Sequence, residues 1–298
     1  MCARRFPNSN LFFCNVAGWV EAVPPFFSIV TATYNAGATL ACLLDSLAAQ
    51  SCRDFELVVQ DGGSVDDTIA VLESYRSCLP ALSLASGPDS GIYDAWNKAL
   101  RVVRGQWVLF LGADDRLAGP TVLQSMKGAL LLVAPEVLYA VGGVTLFAVS
   151  GEYYGEYPVD VDNAVQRLRR EMIFCHTGVL HRRSVFRGEL FDSTYRVLGD
   201  YDFFCRTVLD DRQVAKLDVT VTHMALGGVS SRLCSQPRIF LESLRIAMRH
   251  AGAISSRHMR VGCVVAAVAL LCRVLGPVRA AGFVNITRKW RGKRPFWS

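Results

Sequence analysis

The sequence predicts an α/β fold, with a mostly parallel, Rossmann-like central sheet flanked by helices and a helical, basic C-terminal extension. Four short apolar stretches alternate with helical patterns, which is typical of parallel βαβ units. Each stretch ends in polar or glycine-rich residues that favour a turn. The chain has 298 residues, and 51% of them are hydrophobic. This composition allows a sizeable core and excludes disorder over most of the length.

The regular pattern begins at Phe26 and defines the elements of the first half. The predicted strands are residues 27–33, 55–60, 82–85 and 107–111. A helix after the first strand carries one apolar stripe, made of Leu40, Leu43, Leu44 and Leu47. Ser64 and Asp67 form an N-cap signal for a helix that runs toward Ser77, and another helix is predicted from about Ile92 to Val103.

The second half is less regular, and its elements are predicted with less periodic support. An apolar run at residues 137–149 is β-like, and residues 151–155 resemble a turn or hairpin. The predicted helices are residues 121–132, 162–171, 200–209 and 239–250. Three regions are therefore expected: an irregular leader (1–25), one α/β domain (26–235) and the extension (236–298).

The leader and the extension differ from the domain between them. The leader carries Arg4 and Arg5, but asparagines interrupt its apolar patch and no convincing cleavage site follows, so an irregular leader is favoured over a signal peptide. The net charge is +6, yet eleven Arg and Lys and no Asp or Glu follow Glu242, which leaves the first 242 residues at −5. An anionic membrane surface is the expected partner of this tail, and nucleic acid is the weaker alternative.

Two further features bear on the compartment. The chain has no uninterrupted apolar run of about 18 residues, which excludes a polytopic membrane protein. Its ten cysteines are scattered with no C-x-x-C pair, so they are expected to be mostly buried, reduced thiols. We expect a cytoplasmic protein, peripheral on the inner face of the cytoplasmic membrane, whose apolar stretch from Val261 to Cys272 and flanking tryptophans lie in the interface.

Acidic residues follow three predicted strands in succession. Asp61 follows the second strand, Asp89 the third, and Asp114 with Asp115 the fourth. Ligands of open α/β sheets bind beyond the carboxyl ends of the strands, where these carboxylates would repel one another without a cation. Oxygen ligands suit Mg²⁺ or Mn²⁺ bound to a nucleotide diphosphate. Neither G-x-x-x-x-G-K nor G-x-G-x-x-G is present, which makes a P-loop kinase or an ordinary dehydrogenase unlikely.

Four motifs, in order, resemble the family 2 glycosyltransferases of the GT-A fold. They are FSIVTATYN from Phe27, VQDGGS with Asp67-Thr68 from Val59, SGIYDAWNK from Ser90, and LGADD from Leu111. Each follows the appropriate predicted strand. The resemblance is close over residues 27–116, looser to about Ser231, and strongest toward bacterial enzymes of exopolysaccharide, colanic-acid-like and lipopolysaccharide synthesis.

The resemblance implies roles for residues of the first half. Thr31 and Tyr34 match residues that line the nucleobase pocket, Asp61 matches the aspartate that binds the base, and Asp89 would lie near the ribose and sugar. Asp114 matches the second acidic position of the D-x-D metal motif, with Asp115 as a helper. Gly112 stands at the first acidic position of that motif.

The resemblance also implies residues of the second half. The run LGDYDFFCR from Leu198 resembles the E-D-x-D segment, with Asp200 as catalytic base and Gly199 in place of the glutamate. From its sequence position alone, Asp202 would be a first-turn helix residue. His176, Asp202 and His223 are candidate contacts of the acceptor or the diphosphate, although a lone histidine is more often structural.

The implied function is metal-dependent, inverting transfer of a sugar. The donor would be a nucleotide diphosphate sugar, with UDP as the first expectation, and the acceptor a lipid-linked or polysaccharide glycan. Two alternatives remain open at this point. An inactive nucleotide-sugar-binding or assembly protein is one, because glycines stand at two acidic positions, and a nucleotidyltransferase is the other, although no Gly-rich activation loop follows the first strand.

Overall fold

The computed structural model describes residues 13–15, 18–20, 23–148, 150–251 and 256–290. The strands are β1 (Phe13–Asn15), β2 (Gly18–Val20), β3 (Phe27–Thr33), β4 (Phe55–Asp61), β5 (Leu82–Ser86), β6 (Trp107–Phe110), β7 (Arg116–Leu117), β8 (Tyr139–Phe147), β9 (Tyr153–Tyr157), β10 (Val179–Arg182) and β11 (Val214–Ala225). The α-helices are α1 (Leu40–Ala48), α2 (Thr68–Ser74), α3 (Ile92–Ala99), α4 (Val122–Leu130), α5 (Ala164–Leu168), α6 (Gly199–Thr207), α7 (Gln236–His250), α8 (Ser256–Leu275) and α9 (Pro277–Trp290).

One nine-stranded sheet organises the chain. Its order is β5-β4-β3-β6-β10-β8-β11-β7, and β9 pairs with β8 in addition. The first four strands are parallel, with β3 between β4 and β6, which confirms the prediction of βαβ units. The other half is mixed, because β10 is antiparallel to both β6 and β8, while β8 and β11 are parallel.

Sequence periodicity missed three strands of the mixed half. β7 and β10 have only two and four residues, too few to show a repeat. β11 alternates buried and exposed positions irregularly, with register shifts in its pairing to β8 between Lys216 and Thr222. The predicted hairpin after the β-like run is confirmed as β8 and β9.

The predicted N-cap of α2 is wrong in its details. Asp67 is the N-cap position but makes no side-chain cap bond within the described residues. The Thr68 N–H instead donates to Asp66 Oδ1 over 3.1 Å. The Ser64 hydroxyl donates to Asp61 at the end of β4, so it belongs to the strand end and not to the helix.

Two hydrophobic cores cover the two faces of the sheet. Alternation along β3 places Ile29 in the core that contains the apolar stripe of α1, and Val30 in the core that contains α3 and α6. The α1 stripe was predicted correctly, since Leu40, Leu43, Leu44 and Leu47 are all fully buried. Ile246 of α7 lies in the second core, so this helix packs against the α/β domain.

A buried carboxylate ties the amino ends of three strands together. Glu56 on β4 is 1% exposed; it accepts hydrogen bonds from the Ser28 hydroxyl over 2.6 Å and from the Arg104 backbone N–H over 2.6 Å. Its other oxygen pairs with the Arg104 guanidinium. Gly105 approaches this cluster so closely that a Cβ would lie 2.4 Å from the Ser28 nitrogen.

The leader and the cysteines differ from expectation. Within the leader, β1 and β2 form a two-stranded antiparallel ladder, and the other residues before 23 lie outside the described ranges. Eight described cysteines are free thiols, but only Cys52 is buried and Cys42, Cys78, Cys234 and Cys263 are exposed. The expectation of mostly buried thiols is therefore wrong for these cysteines. Cys42 is an example, because it lies on α1 outside the buried leucine stripe.

The helices α8 and α9 form a separate small cluster at the end of the chain. Ala280 and Ala281 of α9 pack with Leu233, and α8 also contacts α7. Large apolar side chains stay exposed along both helices: Val264, Leu270, Val274, Val278, Phe283 and Ile286. Within the described ranges, none of the helices combines the length and hydropathy that a bilayer crossing requires. The basic segment 291–298, which includes Trp297, lies outside the described residues.

The Gly105 contact predicts a local sensitivity of the fold. Gly105→Ala should lower the free energy of unfolding by about 3 kcal/mol, because the new methyl group would overlap backbone atoms that cannot move independently. Urea unfolding monitored by circular dichroism measures the change. The control is Gly119→Ala, where an added Cβ meets nothing within 4 Å and the change should stay within about 0.5 kcal/mol. Equal stability of the two variants would contradict the packing argument.

Candidate functional site

The carboxyl ends of three neighbouring parallel strands, β3, β4 and β5, meet at Asp61, the last residue of β4. Its Oδ1 accepts a hydrogen bond from the Thr33 hydroxyl over 2.9 Å, and its Oδ2 accepts one from the Ser86 hydroxyl over 2.6 Å. The backbone N–H groups of Gly63 and Ser64 donate to Oδ2 as well. Burial acts to raise the pKa of this carboxyl, but these donors outweigh it and hold the pKa below its usual range. Asp61 is therefore a fixed carboxylate at neutral pH.

Tyr34 and Asp89 flank Asp61 at the open surface. A Cβ on Gly62 would lie 2.8 Å from Asp89 Oδ2 and 3.4 Å from Tyr34 Cδ2, so the glycine lets both side chains approach the strand end. The Tyr34 ring is 68% exposed and presents a free face. Asp89 Oδ1 accepts a hydrogen bond from the Gly91 N–H over 2.8 Å. The structure thus brings together three of the predicted nucleotide-site residues.

Thr31 does not join this group. It is fully buried in the middle of β3, and its hydroxyl has no hydrogen-bond partner among the described residues. Thr33 lies two positions further along the same face and bonds to Asp61. The structure therefore does not bring Thr31 to the strand ends, where it was expected to line a nucleobase pocket, and Thr33 lies beside Asp61 instead.

Asp114 and Asp115 follow β6 and have different environments. Asp115 is 2% exposed, its Oδ2 accepts a hydrogen bond from the Gly112 N–H over 2.8 Å, and burial together with Asp114 raises its pKa to about 7. Asp114 is partly exposed; burial raises its pKa, and the charge of Arg232 opposes that shift. A Cβ on Gly112 would lie 2.9 Å from Asp114 Oδ1, so the glycine provides the space that the carboxylate occupies.

This pair fits a cation held by few protein ligands. The described residues contain no group of three or more His, Cys, Asp or Glu side chains arranged around a common point. Mg²⁺ and Mn²⁺ commonly use one or two carboxylates and take their other ligands from phosphate and water. Asp114 suits that role, whereas the inward-facing Asp115 is engaged with Gly112. A cation would also relieve the repulsion between the adjacent carboxylates of Asp114 and Asp115.

His223 lies close to this corner on β11. It pairs in register with Arg116, the residue after Asp115, and its ring packs against Phe147 with the centroids 5.1 Å apart. Burial and the Arg116 charge lower the pKa of the imidazole. The side chain is therefore neutral at pH 7, the state in which a ring nitrogen can accept a hydrogen bond or bind a metal.

Asp200 is the second residue of α6. Its Oδ1 accepts a hydrogen bond from the Tyr201 N–H over 2.8 Å and lies 3.2 Å from the Tyr93 hydroxyl. The same hydroxyl donates to the Val197 carbonyl oxygen over 2.6 Å. Burial raises the pKa of Asp200 to about 6, so the carboxyl is poised to exchange a proton near neutral pH.

Gly199 is required by the Tyr93 ring. A Cβ at position 199 would lie 2.7 Å from Tyr93 Cε2 and 2.9 Å from Cζ. A glutamate could not stand there with Tyr93 in place. Tyr93 and Gly199 are thus one packing unit, and the phenol occupies space beside Asp200 that a longer side chain would need.

Cys175 connects the two acidic corners. Burial raises the pKa of its thiol to about 12, and the charges of both Asp115 and Asp200 contribute to that shift. Its Sγ also lies 3.7 Å from Met224 Sδ on β11. The charges of Asp115 and Asp200 both reach Cys175, so these three side chains are neighbours in the fold.

His176 is not at the open edge. Its side chain is buried among aromatic rings, stacked on Phe110 at 5.1 Å and packed against Trp96 at 4.8 Å. Burial, and then the neighbouring His181, lower its pKa well below the usual value. The expected acceptor or diphosphate contact is corrected for this residue, because an uncharged ring within an aromatic core presents no surface to a polar ligand.

Asp202 is also structural in this arrangement. It is fully buried, and its Oδ2 accepts a hydrogen bond from Arg206 Nε over 2.8 Å. Its Oδ1 lies 3.0 Å from His250 Nε2 and 3.2 Å from the Arg249 guanidinium. Arg206 belongs to α6, and Arg249 and His250 belong to α7, so the buried Asp202 carboxylate joins these two helices.

Sequence reasoning gave no site role to four polar side chains that the structure places there: Thr33, Ser64, Ser86 and Tyr93. Three of them are the hydroxyls around Asp61. Tyr93 lies inside the SGIYDAWNK motif, which was noticed without a role for this residue. A signal was present for the hydroxyls, since each stands within a few residues of a predicted strand end.

The chain matches the family described as Glycosyl transferase family 2 over residues 28–188, more than half of its length. It is 33% identical over 230 residues to a PGL/p-HBAD biosynthesis glycosyltransferase of Mycobacterium tuberculosis, covering 76% of this chain and 86% of that protein. An uncharacterized glycosyltransferase of Bacillus subtilis, YfnE, is 26% identical over 186 residues, 62% of this chain and 46% of that protein.

Solved structures share the fold at low sequence identity. The mannosyltransferase PcManGT from Pyrobaculum calidifontis, in complex with GDP-Man and Mn²⁺, gives a TM-score of 0.60 at 18% identity over 92% of this chain and 82% of that chain. TarS 1-349 from S. aureus, in complex with UDP, gives 0.57 at 19% identity over 83% and 71%. The α/β architecture is thus the expected GT-A fold. The chain belongs to glycosyltransferase family 2.

Proposed function

We propose that this glycosyltransferase moves a sugar from a nucleotide diphosphate sugar, UDP first among the candidates, to a glycan or lipid-linked acceptor with inversion at the anomeric carbon. One observation carries the proposal. Donor-side groups Tyr34, Asp61, Asp89 and Asp114 line one edge of the sheet, and a carboxyl with a pKa of about 6, Asp200, is a neighbour of Asp115 in the fold. In this arrangement the strand ends would bind the donor, and Asp200 would be free to act as the general base.

Asp200 would act as the base of the reaction. An inverting transfer needs a carboxylate that takes the proton of the acceptor hydroxyl while its oxygen attacks the anomeric carbon, on the side opposite the leaving diphosphate. With a pKa near 6, Asp200 is ionised at pH 7 and still basic enough to hold that proton. The Tyr93 hydroxyl, whose proton goes to the Val197 carbonyl, lies beside the carboxylate at 3.2 Å.

The donor would be held by the strand ends. The exposed ring of Tyr34 offers a stacking face for a nucleobase, and the Asp61 carboxylate offers an acceptor for a base N–H. Asp114 would hold a divalent cation, which when bound offsets the negative charge of the departing diphosphate. Asp89, beside Tyr34 at Gly62, would bind the hydroxyl groups of the ribose and sugar.

The glycines at two acidic positions do not favour an inactive protein. Gly112 leaves the space filled by Asp114, and Gly199 leaves the space filled by Tyr93. Each substitution is matched by a neighbour that supplies a polar group at the same place. This complementarity supports catalysis with a shortened acidic set over loss of activity.

The acceptor is proposed from the relatives and from the end of the chain. Relatives at 33% identity are named for PGL/p-HBAD biosynthesis, so acceptors from that biosynthesis stand beside polysaccharide acceptors. The exposed apolar side chains of α8 and α9, together with eleven positive charges after Glu242, favour attachment to the anionic inner face of the cytoplasmic membrane. A lipid-linked acceptor would be concentrated there.

Substitutions of Asp61 and Asp200 should separate donor binding from turnover. Asp61→Asn should weaken donor binding, because the amide places N–H groups against the donors that surround this position. Asp200→Asn should retain donor binding and lose about 10²- to 10⁴-fold in turnover. Calorimetry measures binding of UDP-, GDP- and dTDP-sugars with Mn²⁺, with Mg²⁺ and with excess chelator, and product release measures turnover. A wild-type protein that is folded and binds none of the donors would refute the proposal.

A pH profile tests the role of Asp200. The base must be ionised, and its pKa is raised to about 6, so kcat/KM should be constant above pH 7 and fall about tenfold per unit below pH 6. Asp200→Asn should abolish this acid limb in whatever activity remains. Persistence of the same limb in the variant would assign it to another group.

Membrane attachment gives a separate prediction. Val274→Asp and Val278→Asp, at side chains 71% and 79% exposed, should each lower affinity for phosphatidylglycerol vesicles about tenfold, since each would lose roughly 1.5 kcal/mol of apolar burial. The control is Val65→Asp, on the body and 90% exposed, which should bind like the wild type. Co-sedimentation measures the bound fraction. Equal binding of all three variants would contradict docking through α8 and α9.

A further inference from the structure

The backbone ahead of α6 is held by a side chain from a distant helix. The N-cap residue of α6 is Leu198, whose side chain has no polar group to receive the N–H groups at this end. Just before the helix, Glu242 of α7 accepts hydrogen bonds from three backbone N–H groups. Its Oε1 accepts a hydrogen bond from the Arg196 N–H over 2.8 Å, and its Oε2 accepts from Val197 over 3.0 Å and Leu198 over 2.8 Å.

These three bonds fix the segment that leads into Asp200. Charge-assisted hydrogen bonds to a carboxylate are about twice as strong as neutral ones. On its other side, the same segment is held where the Val197 carbonyl receives the Tyr93 hydroxyl. The backbone two to four residues before Asp200 is therefore held by α7 and α3 together.

The helix α7 is itself fixed against α6. Arg249 and His250, at its end, both contact the buried Asp202. Ile246, between Glu242 and these residues, is 1% exposed and lies in the second core. Glu242 is thus presented by a helix that is anchored one and two turns further along, so its carboxylate has a defined position.

We propose that Glu242 is a positioning residue for the reaction, which sets the place of the Asp200 carboxylate by binding the backbone N–H groups of residues 196–198. The proposal rests on the assignment of Asp200 as the base. It extends the catalytic machinery into α7, the helix that α8 contacts. A small displacement of a catalytic group can cost about a hundredfold in rate, so a loss of these bonds should appear in kcat.

The charges around Asp200 define a second readout. The groups that face it are Tyr93 from α3, Glu242 from α7, Cys175 from the segment before β10, and Tyr157 from β9. Burial is the main cause of the raised pKa of Asp200, and the negative charge of Glu242 raises it further. Removal of that charge should therefore lower the pKa of Asp200.

The experiment compares two substitutions in the full-length protein. Glu242→Gln keeps the size and loses the charge, and Glu242→Asp keeps the charge and shortens the reach to the three N–H groups. Both should lower kcat tenfold or more, with the donor Kd within about twofold of wild type. In Glu242→Gln the acid limb of the pH profile, and the Asp200 pKa followed by carboxyl NMR, should also move to lower pH. Glu189→Gln is the matched control, because Glu189 pairs with Arg206 of the same helix without contacting its beginning.

The outcomes are distinguishable. Wild-type kcat in both Glu242 variants, or in Glu242→Asp alone, would overturn positioning through the backbone. Should Glu242→Gln fail to fold, by its melting curve, Glu242→Asp still decides the question. A wild-type protein that binds and turns over no donor would refute the proposed function, whereas the shift of the Asp200 pKa in Glu242→Gln would still test the contact.

Discussion

The convergence of carboxylates at one sheet edge is the constraint on which the rest of the structure depends. Parallel strands end together, so Asp61, Asp114 and Asp115 meet at one edge, and α6 adds Asp200. Neighbouring carboxylates repel one another when all are ionised, and the surroundings of each carboxyl set its pKa differently. Hydroxyls and N–H groups keep Asp61 ionised, whereas burial raises the pKa of Asp115 to about 7 and that of Asp200 to about 6. Different protonation behaviour at one edge is what permits different roles.

Close contacts give the glycines of this edge their meaning. Gly62 admits Asp89 and Tyr34, Gly112 admits Asp114, and Gly199 admits the Tyr93 ring. At each position a side chain would have to displace a group that the proposed reaction uses. The two glycines that stand where the family resemblance implies acids are therefore part of a matched arrangement, in which a neighbouring residue fills the space that the acid would take.

The body and the C-terminal helices are joined through α7. This helix shares the second core through Ile246, binds the backbone before α6 through Glu242, and contacts Asp202 of α6 through its last residues, Arg249 and His250. In contrast, α8 and α9 pack on Leu233 and leave apolar side chains exposed. If α8 and α9 bind the membrane, only α7 would separate them from α6, which carries the proposed base.

The sequence by itself determined the parallel half of the sheet, the α1 stripe and the strand-end motifs, because local periodicity and turn residues encode them. It also indicated the family, since four motifs followed the expected strands. Only the tertiary structure decided that Thr31 and His176 are buried, that Asp202 joins two helices and that Tyr93 and Glu242 flank Asp200. The physical reason is distance along the chain: Tyr93 and Asp200 are 107 positions apart, and no local pattern records a contact that folding alone creates.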